Sequence, residues 1–326
     1  MSLYKQFFSA IRNGNKSAVE SLLGNPECNV NKCDDSGIFA LNCALERNEH
    51  TIAIMIAMHP KLTIKLKVDD IDHPFCYACM FDNIDVALIL LERFNLDFTG
   101  ENKEVQLFEA LLYNQTSACK LEHRFEDQQD KLVLLMQKLI NHPTIDVNAL
   151  IGPHHNPWTL LCMCRASPLK SRLIDVFLNC SRVNIEFVSA NRRNVMFYLC
   201  ASGCVHDLRN VCSRAKFNIN AIDVYGKTPM QMALTSNLCD DEEREDIVKF
   251  LLEQPEIDLD FKCGDLDYSQ LCPSLAHILK PKMPEIFSQD EIVQQKETVV
   301  QPEETVVQSE QNVSYLTRIF NAFGYY

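Results

Sequence analysis

A helix-pair pattern that returns about every 34 residues constrains this chain more than any other feature. The first helix of each copy is marked by an apolar residue three before an Ala: Phe7 and Ala10, Leu41 and Ala44, Phe75 and Ala78, Leu107 and Ala110, Met230 and Ala233. Leu160 and Met196 hold the apolar place in two further copies, and the steps between anchors are 34, 34, 32, 53, 36 and 34 residues. A second amphipathic segment follows each anchor, with apolar residues at the i, i+3, i+4 spacing of one helical face. Each copy then closes on a polar–aliphatic–polar triplet: Asn29-Val30-Asn31, Thr63-Ile64-Lys65, Asn95-Leu96-Asp97, Asp146-Val147-Asn148, Asn184-Ile185-Glu186, Asn218-Ile219-Asn220 and Asp258-Leu259-Asp260. Asn and Asp bond nearby backbone in such triplets, leaving the central aliphatic residue to face the next copy. A unit this small cannot bury its apolar face alone and must stack on its neighbours. The pattern predicts an all-α solenoid of about seven helix pairs.

The stretch Asn218–Ala233, NINAIDVYGKTPMQMA, tests this reading, because its Gly-Lys-Thr also occurs in phosphate loops. A phosphate loop needs further glycines before the Lys and a buried strand leading in. Neither is present. As a junction between copies the residues fit: Gly226 supplies the turn, Thr228 caps the helix, and Pro229 takes its first position. Met230 and Ala233 then pack against neighbouring copies.

The unit resembles the ankyrin repeat. That family's Thr-Pro-Leu-His-x-Ala signature stands here as Thr228-Pro229-Met230-Gln231-Met232-Ala233, with Gln231 in the His place, and its Asp-Val-Asn is intact at Asp146–Asn148. The resemblance covers about residues 3–280, most copies being degenerate: Phe39, His73 and Val105 replace the Thr, and the Pro is retained as Pro74 and Pro229. It implies a non-catalytic protein-interaction scaffold with a protein partner.

Two regions break the period. The long step carries Asn114–Asp130, a charged stretch that reads as a solvated insertion or a lengthened helix pair. Near the end of the array, within residues 1–283, Leu271, Leu275, Ile278 and Leu279 can cover the last exposed core face, as a terminal cap must. Residues 284–326 form an acidic Gln/Glu-rich tail containing ETVVQ twice, read as disordered or weakly helical. The tail ends in Tyr315, Leu316, Ile319, Phe320 and Phe323 on one helical face, either a helix docked on the array or a partner or secretion segment.

The net charge of −13 argues against a general nucleic-acid binder, which needs a basic face. The longest apolar runs are far too short for a bilayer span, and the first residues lack a secretory pattern, so a cytoplasmic protein with reduced cysteines is expected. Among the 15 cysteines, the pairs Cys76/Cys79, Cys162/Cys164 and Cys200/Cys204 lie in different copies, where small core residues are the better account than zinc ligands. Cys204 with His206, or Cys162 with His154 and His155, could form a Cys/His nucleophile pair only through spatial contact. No catalytic residue, metal or cofactor is therefore expected, although a cysteine-dependent enzyme within degenerate repeats remains an alternative class.

Binding is expected on the finger loops between copies. The candidate contacts are Asp34, Asp69, Asp70 and Glu101 on acidic early fingers, and His154, His155, Trp158, Arg192, Arg193 and Tyr225 on later ones, because Trp, Tyr and Arg are favoured at interface hot spots. Scarce Gly, degenerate copies and a Glu-rich tail with an apolar end also resemble ankyrin effectors that intracellular bacteria deliver by type IV secretion. That resemblance implies action on a host protein in the host cytosol; a monomer is expected. Its translocation signal would comprise Glu297, Glu303, Glu304, Glu310, Phe320 and Phe323. An endogenous eukaryotic or viral adaptor is the competing reading.

Overall fold

A computed structural model of the protein describes residues 2–68, 72–99, 103–112, 121, 126–150, 155–259 and 273–282. The chain forms two compact units, one of residues 1–115 and 123–151, the other of 116–122 and 152–326. The first unit holds four helix pairs: α1 Leu3–Arg12 with α2 Lys16–Leu23, α3 Ala40–Glu46 with α4 His50–Met58, α5 Pro74–Met80 with α6 Ile84–Arg93, and α7 Lys103–Leu112 with α8 Glu126–Ile140. The second holds three pairs and one further helix: α9 Pro157–Met163 with α10 Pro168–Leu178, α11 Val195–Ser202 with α12 Val205–Arg214, α13 Pro229–Thr235 with α14 Asp241–Leu252, and then α15 Pro273–Leu279. No strand is present among the described residues, and two isolated bridges tie loops together.

Within each unit, first helices pack on first helices and second on second, and α15 covers α14. Seven pairs and a terminal helix match the expected all-α architecture. The anchor residues lie in the core, with Phe7, Ala44, Phe75, Ala78, Met196 and Ala233 all buried. Leu275 and Leu279 of α15 are fully buried, as a terminal cap requires, while Leu271 lies outside the described residues. Residues 126–130 of the long step belong to α8, which they lengthen to 15 residues. Most of the rest of that stretch, the 284–326 tail and its six signal residues (Glu297, Glu303, Glu304, Glu310, Phe320 and Phe323) lie outside the described residues.

The turns inside the pairs show how degenerate copies keep the geometry. Three of them in the first unit turn through a left-handed residue, which Gly14, Asn48 and Asp82 supply at intervals of 34 with φ of 64°, 56° and 59°. Asn and Asp are the side chains that best tolerate this conformation, so the missing turn glycines do not cost the turn. Gly203 does the same in the second unit, with φ of 90°.

Helix starts follow local chemistry. Thr228 accepts the Gln231 N–H at 3.3 Å, and the Gln231 side chain accepts the Thr228 N–H at 2.7 Å, a reciprocal capping box. Gln231 thereby serves the cap from the His place of the signature. His73, standing where Thr is usual, caps α5 through Nδ1, which accepts the Phe75 N–H at 3.1 Å. Phe39 makes no side-chain cap. Helix α7 starts at Lys103, two residues before Val105. The sequence reading missed one Pro: Asn156-Pro157 opens α9, with a second capping box through Thr159. This moves the register of that copy, so Trp158, following Pro157, stands where Met230 follows Pro229.

The closing triplets divide their labour by position. The first residue makes a local turn, as Asn29 does for the Asn31 N–H at 3.0 Å and Asn218 for the Asn220 N–H at 3.0 Å. The aliphatic residue is buried in Val30, Leu96, Val147 and Ile219. Where the third residue is Asn it can reach into the next copy: Asn31 donates to the Lys61 carbonyl and accepts from Thr63 N–H, both at 2.8 Å. Asn220 repeats this with the Glu256 carbonyl at 2.6 Å and Asp258 N–H at 2.9 Å. An Asn amide can donate and accept at once, which a carboxylate cannot.

Candidate functional site

The finger loops share one turn, built on an acceptor side chain. Asp34 accepts the Ser36 and Ile38 N–H groups, each at 2.9 Å. Asp223 accepts the Tyr225 and Lys227 N–H groups at 2.9 and 2.8 Å. Ser189 accepts the Arg193 N–H at 3.2 Å in the same place. The left-handed residue of this turn is Gly37, Arg192 or Gly226, with φ of 84°, 62° and 77°.

Arg192 pays for that conformation, so an Arg192→Gly variant is expected to be as stable as the parent or up to about 1 kcal/mol more stable, the relief of left-handed strain being partly offset by the freer unfolded chain. Urea denaturation checks this, and a clear loss of stability would contradict it.

Several residues expected at the surface are internal. Arg193 is 1% exposed and pairs with Asp223 of the next finger, through Nη2 at 2.6 Å and Nε at 2.8 Å. The Asp223 side chain is fully buried. The partner of Arg193 lies 30 residues away, so no local pattern distinguishes Arg193 from a free contact. Trp158 is fully buried, stacks on Phe177, and donates its ring N–H to the Ile185 carbonyl at 3.2 Å. Its place in the Met230 register explains this. His155 is 5% exposed and meets the Tyr198 ring edge-on at 5.7 Å. The Asp34 side chain is 4% exposed and bonds Arg12, so it latches its own finger and is no free steering charge. Burial alone would raise the Asp34 carboxyl, but the Ile38 and Ser36 N–H groups and the Arg12 guanidinium outweigh it and hold it below the usual value. His154, Asp69, Asp70 and Glu101 lie outside the described residues.

Arg192 and Tyr225 are exposed as expected, and the structure gathers residues around them that the sequence reading missed. Val188, Ile222, Val224 and Tyr225 are 56%, 52%, 51% and 51% exposed. Val188 precedes Ser189 as Ile222 precedes Asp223, so the two are one turn position repeated at an interval of 34. The signal available in the sequence was an aliphatic residue placed directly before the turn acceptor. The Val224 N–H donates to the Asn191 carbonyl at 3.1 Å, joining the two fingers, and the Arg193 guanidinium lies 5.5 Å from the Tyr225 ring centroid. An apolar edge is thus held on a buried ion pair, flanked by Arg192 and Lys227.

Groups with catalytic chemistry are placed for structure. Lys170 Nζ donates to Ser202 Oγ at 2.7 Å and lies 3.7 Å from Asp207, with both charged side chains fully buried. Ser202 donates its own proton to the Leu199 carbonyl at 3.2 Å, so its hydroxyl is held in a structural bond and not presented to a base. Burial, with Asp207 alongside, raises the Cys204 thiol, and burial pushes the Cys162 thiol far up, the reverse of an activated nucleophile. Among the described residues no group of three or more His, Cys, Asp or Glu could hold a metal ion. No helix among them is long and apolar enough to cross a membrane.

A family model described as ankyrin repeats, three copies, matches residues 7–121. No curated protein matches the chain significantly. The helix pairs within residues 7–121 are therefore ankyrin repeats, and the later pairs repeat the same helix–helix–finger architecture, one that suggests a protein–protein interaction scaffold.

Proposed function

We propose that the chain is a non-catalytic scaffold that grips a protein partner along the finger edge of its second unit. The carrying observation is the row of half-exposed Val188, Ile222, Val224 and Tyr225 between Arg192 and Lys227. Large apolar side chains grouped on loops mark interaction sites more often than scattered ones do. Here the loops are braced by the Arg193–Asp223 pair, so little ordering entropy is lost on binding. Tyr225 is the natural anchor, with Arg192 and Lys227 favouring an acidic rim on the partner. Asp69, Asp70 and Glu101 remain in the proposal as charges that steer the encounter.

Immobilised full-length protein tests this by capture from eukaryotic cell lysate. Val188→Ser with Tyr225→Ala is expected to weaken capture of the same protein at least about tenfold, since interface anchors commonly carry 2 kcal/mol or more. Met58→Ser, at a 62% exposed site in the first unit, serves as control. Equal capture by all three proteins would remove the finger edge from the proposal. Arg193 is left intact because its replacement would disturb the fold.

The composition of the tail supports one finer element: delivery by a bacterial type IV system into a host cytosol, with Glu297, Glu303, Glu304, Glu310, Phe320 and Phe323 in the signal. Residues 284–326 fused to a reporter should then enter host cells from a secretion-competent strain and not from a secretion-deficient one. Equal signal from both strains would favour an endogenous adaptor.

A further inference from the structure

We propose that the finger edge of the second unit is a docking site for the chain's own segment Glu297–Gln308. This inference rests on reading that edge as a docking surface and goes beyond it by naming an occupant. Three observations lead there.

The edge is chemically specific. Val188, Ile222, Val224 and Tyr225 present apolar surface, and within residues 184–193 and 218–228 the exposed or half-exposed charges are Glu186, Arg192 and Lys227, since Arg193 and Asp223 neutralise each other. The edge is therefore locally cationic in a chain of net charge −13. A fitting ligand alternates short aliphatic side chains with carboxylates.

The segment has that composition twice over. Glu297-Thr-Val-Val-Gln301 and Glu304-Thr-Val-Val-Gln308 place Val299, Val300, Val306 and Val307 among Glu297, Glu303 and Glu304. No base occurs between Glu297 and Gln308. The edge is itself a repeat, with Val188 and Ile222 in equivalent places, so a doubled motif meets a doubled site.

The segment can reach. Lys282 is the last described residue, and Glu297 follows it by 15 positions, a span of up to about 50 Å at 3.3 Å per residue. Helix α15 packs on α14, α14 on α12, and α12 is paired with α11, which the Ser189–Arg193 finger precedes. At about 8–10 Å per packed helix, that path is roughly 30 Å. Tethering supplies an effective concentration in the millimolar range, so even a weak intrinsic affinity fills the site. An external partner of similar chemistry would have to displace the segment.

The test is photo-cross-linking in the full-length protein, with p-benzoylphenylalanine in place of Tyr225. A cross-link within one chain to the tryptic peptide 297–318 is expected. Its yield should fall at least fivefold in the Glu303→Gln/Glu304→Gln variant and in the variant with Val299, Val300, Val306 and Val307 changed to Ser. Cross-links joining two chains would overturn the proposal in favour of a second copy as occupant. Cross-links to other parts of the chain, none at all, or yields unmoved by either variant would also overturn it. If it falls while lysate capture still depends on Tyr225, the external-partner reading stands without it.

Discussion

An Asp223→Ala variant is expected to lose about 3–5 kcal/mol of folding stability, the cost typical of breaking a buried ion pair on one side. The loss follows from what is left behind. Arg193 is 1% exposed and bonds Asp223 through two of its nitrogens, so removing the carboxylate takes the ion partner from a buried guanidinium. The same change removes the acceptor for the Tyr225 and Lys227 N–H groups, opening the finger turn. A second variant separates the two effects. Adding Arg193→Met to Asp223→Ala removes the buried charge and should recover most of the loss, leaving about 1 kcal/mol for the turn bonds. Urea denaturation of the parent and the two variants measures this. A single-variant cost below about 1 kcal/mol would show that Arg193 finds water or another acceptor, and the bracing role assigned to the pair would fall. Stability in repeat arrays is roughly a sum over neighbours, so the loss should concentrate in the second unit.

Gly203→Ala should cost about 2–5 kcal/mol, and Gly14→Ala only about 1, although both occupy left-handed turns inside a helix pair. The difference lies in what an added Cβ would meet. At Gly203 it would stand 2.6 Å from Cys239 Cβ, an atom fixed to its backbone, and 2.9 Å from Glu243 Oε2. At Gly14 it would meet only the carboxylate end of Glu49, at 2.5 Å from Oε1, and that side chain can swing away. Asn48 and Asp82 occupy the equivalent turns in the first unit, which shows that the conformation itself is tolerable for an L residue. Thermal melts of the two variants compare them directly. Equal costs would mean that the neighbour of Gly203 yields as easily as a surface carboxylate, and the close approach would not be what demands Gly there.

The two expectations differ in how far they could be foreseen. That a turn falls near Gly203 follows from helical periodicity on both sides. That the position refuses a methyl group depends on Cys239, which belongs to the next helix pair. Likewise, the Thr228 cap, the Pro229 start and the Gly226 turn were readable, being set by residues within four positions of one another. Asn156-Pro157 carries the same signal, which the apolar Leu160 two residues past Trp158 obscures by also fitting the anchor place. The finger contacts fared unevenly: Arg192 and Tyr225 are exposed, whereas Arg193, Trp158, His155 and Asp34 are drawn inside.

By itself, the sequence determined the architecture: seven helix pairs, closing triplets with a central aliphatic residue between polar ones, and a terminal helix. These rest on backbone preferences and on a period repeated often enough that degenerate copies support one another. Only the tertiary structure decided which finger side chains face solvent. Adjacent residues such as Arg192 and Arg193 have the same chemistry and opposite fates, because Arg193 meets a carboxylate brought by the next copy while Arg192 occupies the left-handed corner of the turn. Exposure on a finger is set by a neighbour about 30 residues away, and a local pattern carries no record of that neighbour.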